Sequence, residues 1–169
     1  MKTDPLHDAD RLSEIARLDI FAPEVRTMLQ AYTEEAALRL GLPLGLVTVV
    51  FNEVQYFAAS HGLPDGWMKE VQGTPVEWSF CRFAVEGNCS LVIEDATRDR
   101  RTQNNPLVAI DHVRCYAGAP LRTSAGHTLG TLCVAGVDVH EFQQDDIEVL
   151  QSLAREVVEK LEARAASEA

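Results

Sequence analysis

Apolar residues recur at helical spacing near both ends of the chain, and the stretch between is made of short apolar runs broken by turn-forming residues. Within residues 8–20, Leu12, Ile15, Ala16 and Leu18 share one side of a helical projection, which predicts a short amphipathic helix. Phe21-Ala22-Pro23 interrupts it, and Pro23 suits the first turn of the next helix, where its missing N–H costs nothing. That helix is predicted over 23–40. Val25, Met28, Leu29, Tyr32, Ala36 and Leu40 form its apolar face, and Gly41 is its C-terminal stop. At the other end, Ile147, Leu150, Leu153, Ala154, Val157, Val158 and Leu161 form the stripe of a long helix over 144–166.

The middle reads as strands. Residues 44–51 are rich in β-branched and apolar side chains, Asn52-Glu53 turns the chain, and 54–60 returns as a second strand. Residues 62–74 mix glycine, proline and polar residues and predict a loop with one helical turn. A short helix over 78–86 is closed by Gly87-Asn88, a strand follows over 90–94, and 95–111 is irregular with short helical turns. Residues 113–121 and 128–137 pair as a hairpin around Ser124-Ala125-Gly126.

Hairpin connections predict an antiparallel sheet, and helices before and after it predict a layered α+β fold. The expected architecture is a central antiparallel sheet of five or six strands. The helices over 23–40 and 144–166 pack together on one face, and the helical inserts lie on the other. Leu12, Ile15 and Leu18 have no partner in this scheme, which predicts a homodimer built on the terminal helices.

A chain of 169 residues is one domain's worth, and at that size roughly 68–70% of the unfolded surface is buried. The net charge of −11 repels phosphate backbones and anionic lipid, so neither nucleic acid nor a membrane surface is an expected partner. No apolar run approaches the ~20 residues of a membrane helix. Residues 1–17 alternate charge with single apolar residues, unlike a signal peptide, so a cytoplasmic location is expected. Cys81, Cys89, Cys115 and Cys133 form no C-x-x-C pair and have no histidine at ligand spacing, so no zinc site and no other metal is expected. In a reducing compartment they are expected as thiols, with no structural disulfide.

Two stretches then carry a resemblance. One is Asp95-Ala96-Thr97-Arg98-Asp99-Arg100 followed by Asn105-Pro106-Leu107-Val108. The other is Tyr116-Ala117-Gly118-Ala119-Pro120-Leu121 with Gly130-Thr131-Leu132-Cys133-Val134. In this order, after the segment Phe80-Cys81-Arg82-Phe83-Ala84-Val85, they resemble the GAF domain, in the variety found in bacterial histidine kinases and diguanylate cyclases. The resemblance implies a single GAF domain over 1–169, with 1–22 and 162–169 peripheral. It implies a standalone, non-catalytic regulatory module that senses a small molecule or dimerises, with no cofactor and with a signalling protein as possible partner. Cyclic-nucleotide-binding members carry a spaced Asn-Lys-Phe-Asp-Glu signature, of which only Phe142 and Asp145-Asp146 match the end. Pigment-binding members carry Cys-His, which is absent here. The alternative is a redox role, either as a thiol sensor or as a GAF-like reductase of free methionine sulfoxide. The latter's reactive cysteine lies in the segment before the hairpin, where residues 95–111 have none.

Candidate binding residues follow from chemistry and from the pocket position that the resemblance implies. Trp78, Phe80, Val108 and Tyr116 would supply an apolar wall. Cys81, beside Arg82 at the start of a short helix, is the candidate reactive thiol, since a helix N-terminus and a cation both favour thiolate. Arg100 or Arg101 would anchor a carboxylate or phosphate. The expected ligand is a small anion with an apolar body.

Overall fold

Leu44–Val50 (β1) is buried on both faces, so it must lie inside the sheet. The computed structural model, which describes residues 4–168, places it third in a six-stranded antiparallel sheet of order β3-β2-β1-β6-β5-β4. The partners are Val54–His61 (β2), Gly73–Pro75 (β3), Leu91–Ile93 (β4), Cys115–Arg122 (β5) and Thr128–Gly136 (β6). Five strands match the expected segments. β3 adds the sixth at the edge, beginning at the end of the stretch expected as loop.

The two faces of β1 separate cleanly, as strand alternation requires. Val47 and Val49 join the core beneath the long helices, whereas Leu46 and Val50 join a second core on the opposite face. The first core is closed by Ala9–Leu18 (α1), Pro23–Leu40 (α2) and Gln144–Ser167 (α6). The second is closed by Trp67–Val71 (α3), a 3-10 turn over Val76–Trp78, Cys81–Gly87 (α4) and Pro106–Ala109 (α5). The predicted division into a long-helix face and an insert face is therefore the observed one.

Local signals explain the helix ends. Pro23 opens α2, and Gly41 closes it at φ 70°, its N–H bonding back to Ala37 and Leu38. Gln143 and Asp146 form a reciprocal capping box at the start of α6, where Asp145 and Asp146 also complement the helix dipole. The helix expected over 78–86 begins only at Cys81. Ser79 sets that start, because its Oγ accepts the Arg82 N–H at 3.1 Å and donates to Gln55 Oε1 at 2.6 Å.

One expectation about the N-terminal segment changes. Its described residues, 4–22, are packed rather than peripheral, and Leu18 is wholly buried. Leu18 and Ile15 are covered by the chain itself, within the long-helix core, so they supply no reason for a second subunit. The signal missed in the sequence is Arg11. Its guanidinium is buried and donates to the carbonyls of Pro5, Leu6, Thr128 and Leu129, which ties the segment to β6 without a carboxylate. Burial lowers its pKa from the ordinary arginine value.

Candidate functional site

The insert face of the sheet is not filled. Side chains from β1, β2, β5 and β6 and from the elements above them enclose a hollow of about 60 Å³. Leu46, Phe57, Leu63, Phe80, Leu107 and Ala135 are among its walls. A second hollow of about 260 Å³ shares Leu44, Leu63, Met68, Val113 and Ala135 with it and reaches the surface beside Pro64 and Val137. The inner space alone is small for a ligand, since small-molecule sites usually run to about 300–1,000 Å³. The two adjoining hollows together reach the lower end of that range.

The polar groups on the inner wall are mostly tied to one another. Gln55 is buried, donates to Thr74 Oγ1 at 3.1 Å and accepts from Ser79. The hollow therefore presents mainly carbon. At the outer space the situation differs. Asp111 lines it, and its Oδ1 accepts the Trp67 indole N–H at 3.3 Å. Its Oδ2 is buried without any hydrogen-bond partner. The next residue, His112, sits at φ 59°, in the left-handed region that few non-glycine residues adopt, histidine more readily than most. An unpaired buried oxygen costs about 1–3 kcal/mol, so this corner of the site is under-satisfied.

Of the seven residues expected to bind, Phe80, Cys81 and Tyr116 meet at the inner wall. Phe80 and Tyr116 pack edge to face, with centroids 5.5 Å apart. Val108 is buried in the same core, but Leu107 is the residue of α5 that faces the hollow. Trp78 stands behind the wall, edge-on to Trp67 at 5.5 Å. Arg100 and Arg101 do not reach the site. Both are exposed, and Arg101 folds onto Asp99 through Nε (2.9 Å) and Nη2 (2.7 Å). The cause is local: the insert turns Ala96 and Thr102 inward, joined by a 2.8 Å hydrogen bond, which leaves the arginines facing water. The expected cationic anchor is therefore corrected. The charged side chain on the lining is acidic Asp111.

Part of the inner wall is a sulfur and hydroxyl cluster. Cys81 at the start of α4 receives the hydroxyls of Tyr116 (β5) and Thr131 (β6), each at 3.1 Å, and its Sγ is 3.9 Å from that of Cys133 (β6). Thr131 is bonded in turn to Thr48 of β1 at 3.2 Å. Burial alone would raise the Cys81 pKa. The donors Cys133, Thr131, Thr48 and Tyr116 outweigh it and hold the thiol down to about 6. Cys133, which serves that sulfur as a donor and is itself buried, is pushed well above the usual thiol range. Burial and the neighbouring sulfurs likewise push Tyr116 up. Cys115 stands apart, and burial raises it to about 11.

Gly118 makes this cluster possible. A Cβ there would lie 2.2 Å from the Tyr116 hydroxyl oxygen, so the ring can lie along the sheet only over a bare backbone. Gly118→Ala should displace the hydroxyl from Cys81 and destabilise by about 1–2 kcal/mol. Removing a donor should raise the Cys81 pKa. Titration of thiolate absorbance in wild type and variant would show this upward shift, and coincident curves would contradict the arrangement.

The sequence profile of the GAF domain matches residues 22–162, most of the chain. The chain belongs to the GAF domain family. A cyclic di-GMP phosphodiesterase of Pseudomonas aeruginosa is 35% identical over 121 residues, which is 70% of this chain and 20% of that protein. The chain thus spans about a fifth of that relative's length. Among solved structures, the GAF domain from a phosphoenolpyruvate-protein phosphotransferase of Coxiella burnetii superimposes with a TM-score of 0.69 at 16% identity, covering 99% of this chain and 100% of that one. A free methionine-R-sulfoxide reductase of Neisseria meningitidis, solved with its substrate, gives 0.68 at 16% identity, covering 93% and 87%. Identities this low show a shared GAF fold and carry no function across.

Among the described residues no helix is long and apolar enough to cross a membrane. No cluster of three or more His, Cys, Asp or Glu side chains among them is arranged to hold a metal ion.

Proposed function

We propose that this GAF domain is a small-molecule-sensing regulatory module without catalytic turnover, and that its ligand occupies the two adjoining hollows on the insert face. The observation that carries this reading is Asp111, whose unpartnered Oδ2 stands at the edge of an otherwise apolar site. A ligand with a compact apolar body and a hydrogen-bond donor, as an alcohol or a protonated amine, would give that oxygen the partner it lacks. The small anion expected from the sequence is disfavoured, because the arginines that would have held it face solvent. Likeness to a fifth of a cyclic di-GMP phosphodiesterase supports a regulatory role towards a separate output. The non-catalytic reading is supported by residues 95–111, which hold no cysteine to act as the reductase nucleophile.

A matched set of probes tests the ligand class. n-Butylamine, n-butanol and butyrate share one apolar chain and differ in the head group. A ligand that binds only the folded state raises stability by about 2.7 kcal/mol at 100 times its Kd. Thermal shifts should rank amine and alcohol above butyrate. Asp111→Asn should cut amine affinity by about 1.5–3 kcal/mol, the cost of losing a hydrogen bond to a charged group. A larger shift with butyrate, or an amine response unchanged in Asp111→Asn, would refute the assignment.

A further inference from the structure

The proposed ligand reading makes no use of the Cys81–Cys133 pair as a pair, yet its arrangement is specific. The two residues are 52 apart in sequence, one on α4 and the other on β6, and their sulfurs are 3.9 Å apart. Both also line the inner hollow, so a molecule small enough to enter it touches sulfur. Cys115 is one position before Tyr116 on β5 and so points to the opposite face, away from the pair. Cys89 is exposed to water. The chain thus holds one close pair of thiols, and the way to it is through the cavity.

We propose that Cys81 and Cys133 are an oxidisable dithiol which small hydroperoxides, admitted through the hollow, convert to a disulfide. Cys81 is the attacking sulfur, since two hydroxyls converge on it and would stabilise its thiolate. Its sulfur bonds to the terminal oxygen of the hydroperoxide as the O–O bond breaks. The alkoxide leaves and takes up the proton that Cys81 gave up, so Cys81 becomes a sulfenic acid and the peroxide becomes an alcohol. Cys133 then attacks that sulfur. The S–S bond forms, the S–OH bond breaks, and hydroxide leaves as water with the Cys133 proton. Two thiols and one hydroperoxide thus yield a disulfide, an alcohol and water.

The product changes the site. The sulfurs must close from 3.9 Å to about 2.05 Å, which draws the start of α4 towards β6. Tyr116 and Thr131 then lose the acceptor they share. Oxidation would therefore reshape the inner wall. The two hollows also set the oxidant: hydrogen peroxide or a short alkyl hydroperoxide fits adjoining spaces of about 60 Å³ and 260 Å³, and glutathione disulfide does not.

The test uses the full chain, reduced and then freed of reductant. Treatment with tert-butyl hydroperoxide should remove two of the four thiols, and digestion without reductant should recover a peptide pair joined through Cys81 and Cys133. Glutathione disulfide should leave both free and modify only Cys89. In Cys133→Ser the reaction should stop at a sulfenic acid on Cys81 that dimedone captures, and in Cys81→Ser the hydroperoxide should leave Cys133 a thiol. The wild-type peptide map stands whether or not these variants fold. Survival of all four thiols, oxidation confined to Cys89, a different pairing, or equal oxidation by glutathione disulfide would overturn the proposal.

Discussion

Gly45→Ala should destabilise the protein by about 3 kcal/mol, the upper part of the range for overpacking a core. Gly45 lies on β1 on the face covered by α2. A Cβ there would stand 2.2 Å from the carbonyl oxygen of Thr33, 3.0 Å from its carbonyl carbon and 3.4 Å from Ala37 Cβ. The first two are helix backbone and cannot rotate away. Either α2 lifts from the sheet or β1 shifts, and both movements open the core around Leu29, Ala36 and Val47. For a domain of this size the loss corresponds to a Tm lower by roughly 6–12 °C. Calorimetry reads this directly, and a Tm within about 2 °C of wild type, equivalent to under 1 kcal/mol, would show that α2 does not press on β1 as described.

The second large effect is on binding. Ala135 lies between Leu44 and Tyr116 across the central strands, and it lines both hollows. Ala135→Phe would place a ring where they join. Because the space is already empty, the cost to stability should stay at or below the usual 1–3 kcal/mol of overpacking, roughly. Ligand affinity should fall by at least about 100-fold, or some 2.8 kcal/mol. Isothermal titration with n-butylamine, or with whichever matched probe binds more tightly, would check it. Undiminished affinity would place the ligand elsewhere.

The layers of the fold were legible because each long element carries its own period. The stripe from Ile147 to Leu161 could only be a helix with one covered side. The strand ends were bounded by turn formers such as Asn52-Glu53 and Ser124-Ala125-Gly126. β3 was not legible, since Gly73, Thr74 and Pro75 are too few to show alternation and are defined by pairing with β2. The site was legible where it lies on regular elements. Phe80, Cys81 and Tyr116, expected at a pocket wall, line the inner hollow, but the approach of Cys81 to Cys133 depends on strand register, and a slip of one residue would have put Cys133 on the other face. Direction failed in the irregular segment. Arg100, Arg101 and Asp111 all belong to it, and nothing periodic says which of them turns inward. Asp99, two residues before Arg101, captures that arginine locally, whereas Asp111 is drawn in by Trp67, 44 positions away.

Methyl-resolved NMR during addition of n-butylamine tests the central claim most directly, because it reports where a probe sits. A groove between α2 and α6, lined in part by Met28, Leu153, Glu156 and Lys160, offers an alternative location on the opposite side of the sheet. The proposed site predicts saturable shifts at the methyls of Leu44, Leu63 and Val113, with Met28 and Leu153 unmoved, and loss of those shifts in Ala135→Phe. Shifts centred on Met28 and Leu153, or none at the insert face at saturating probe, would contradict it.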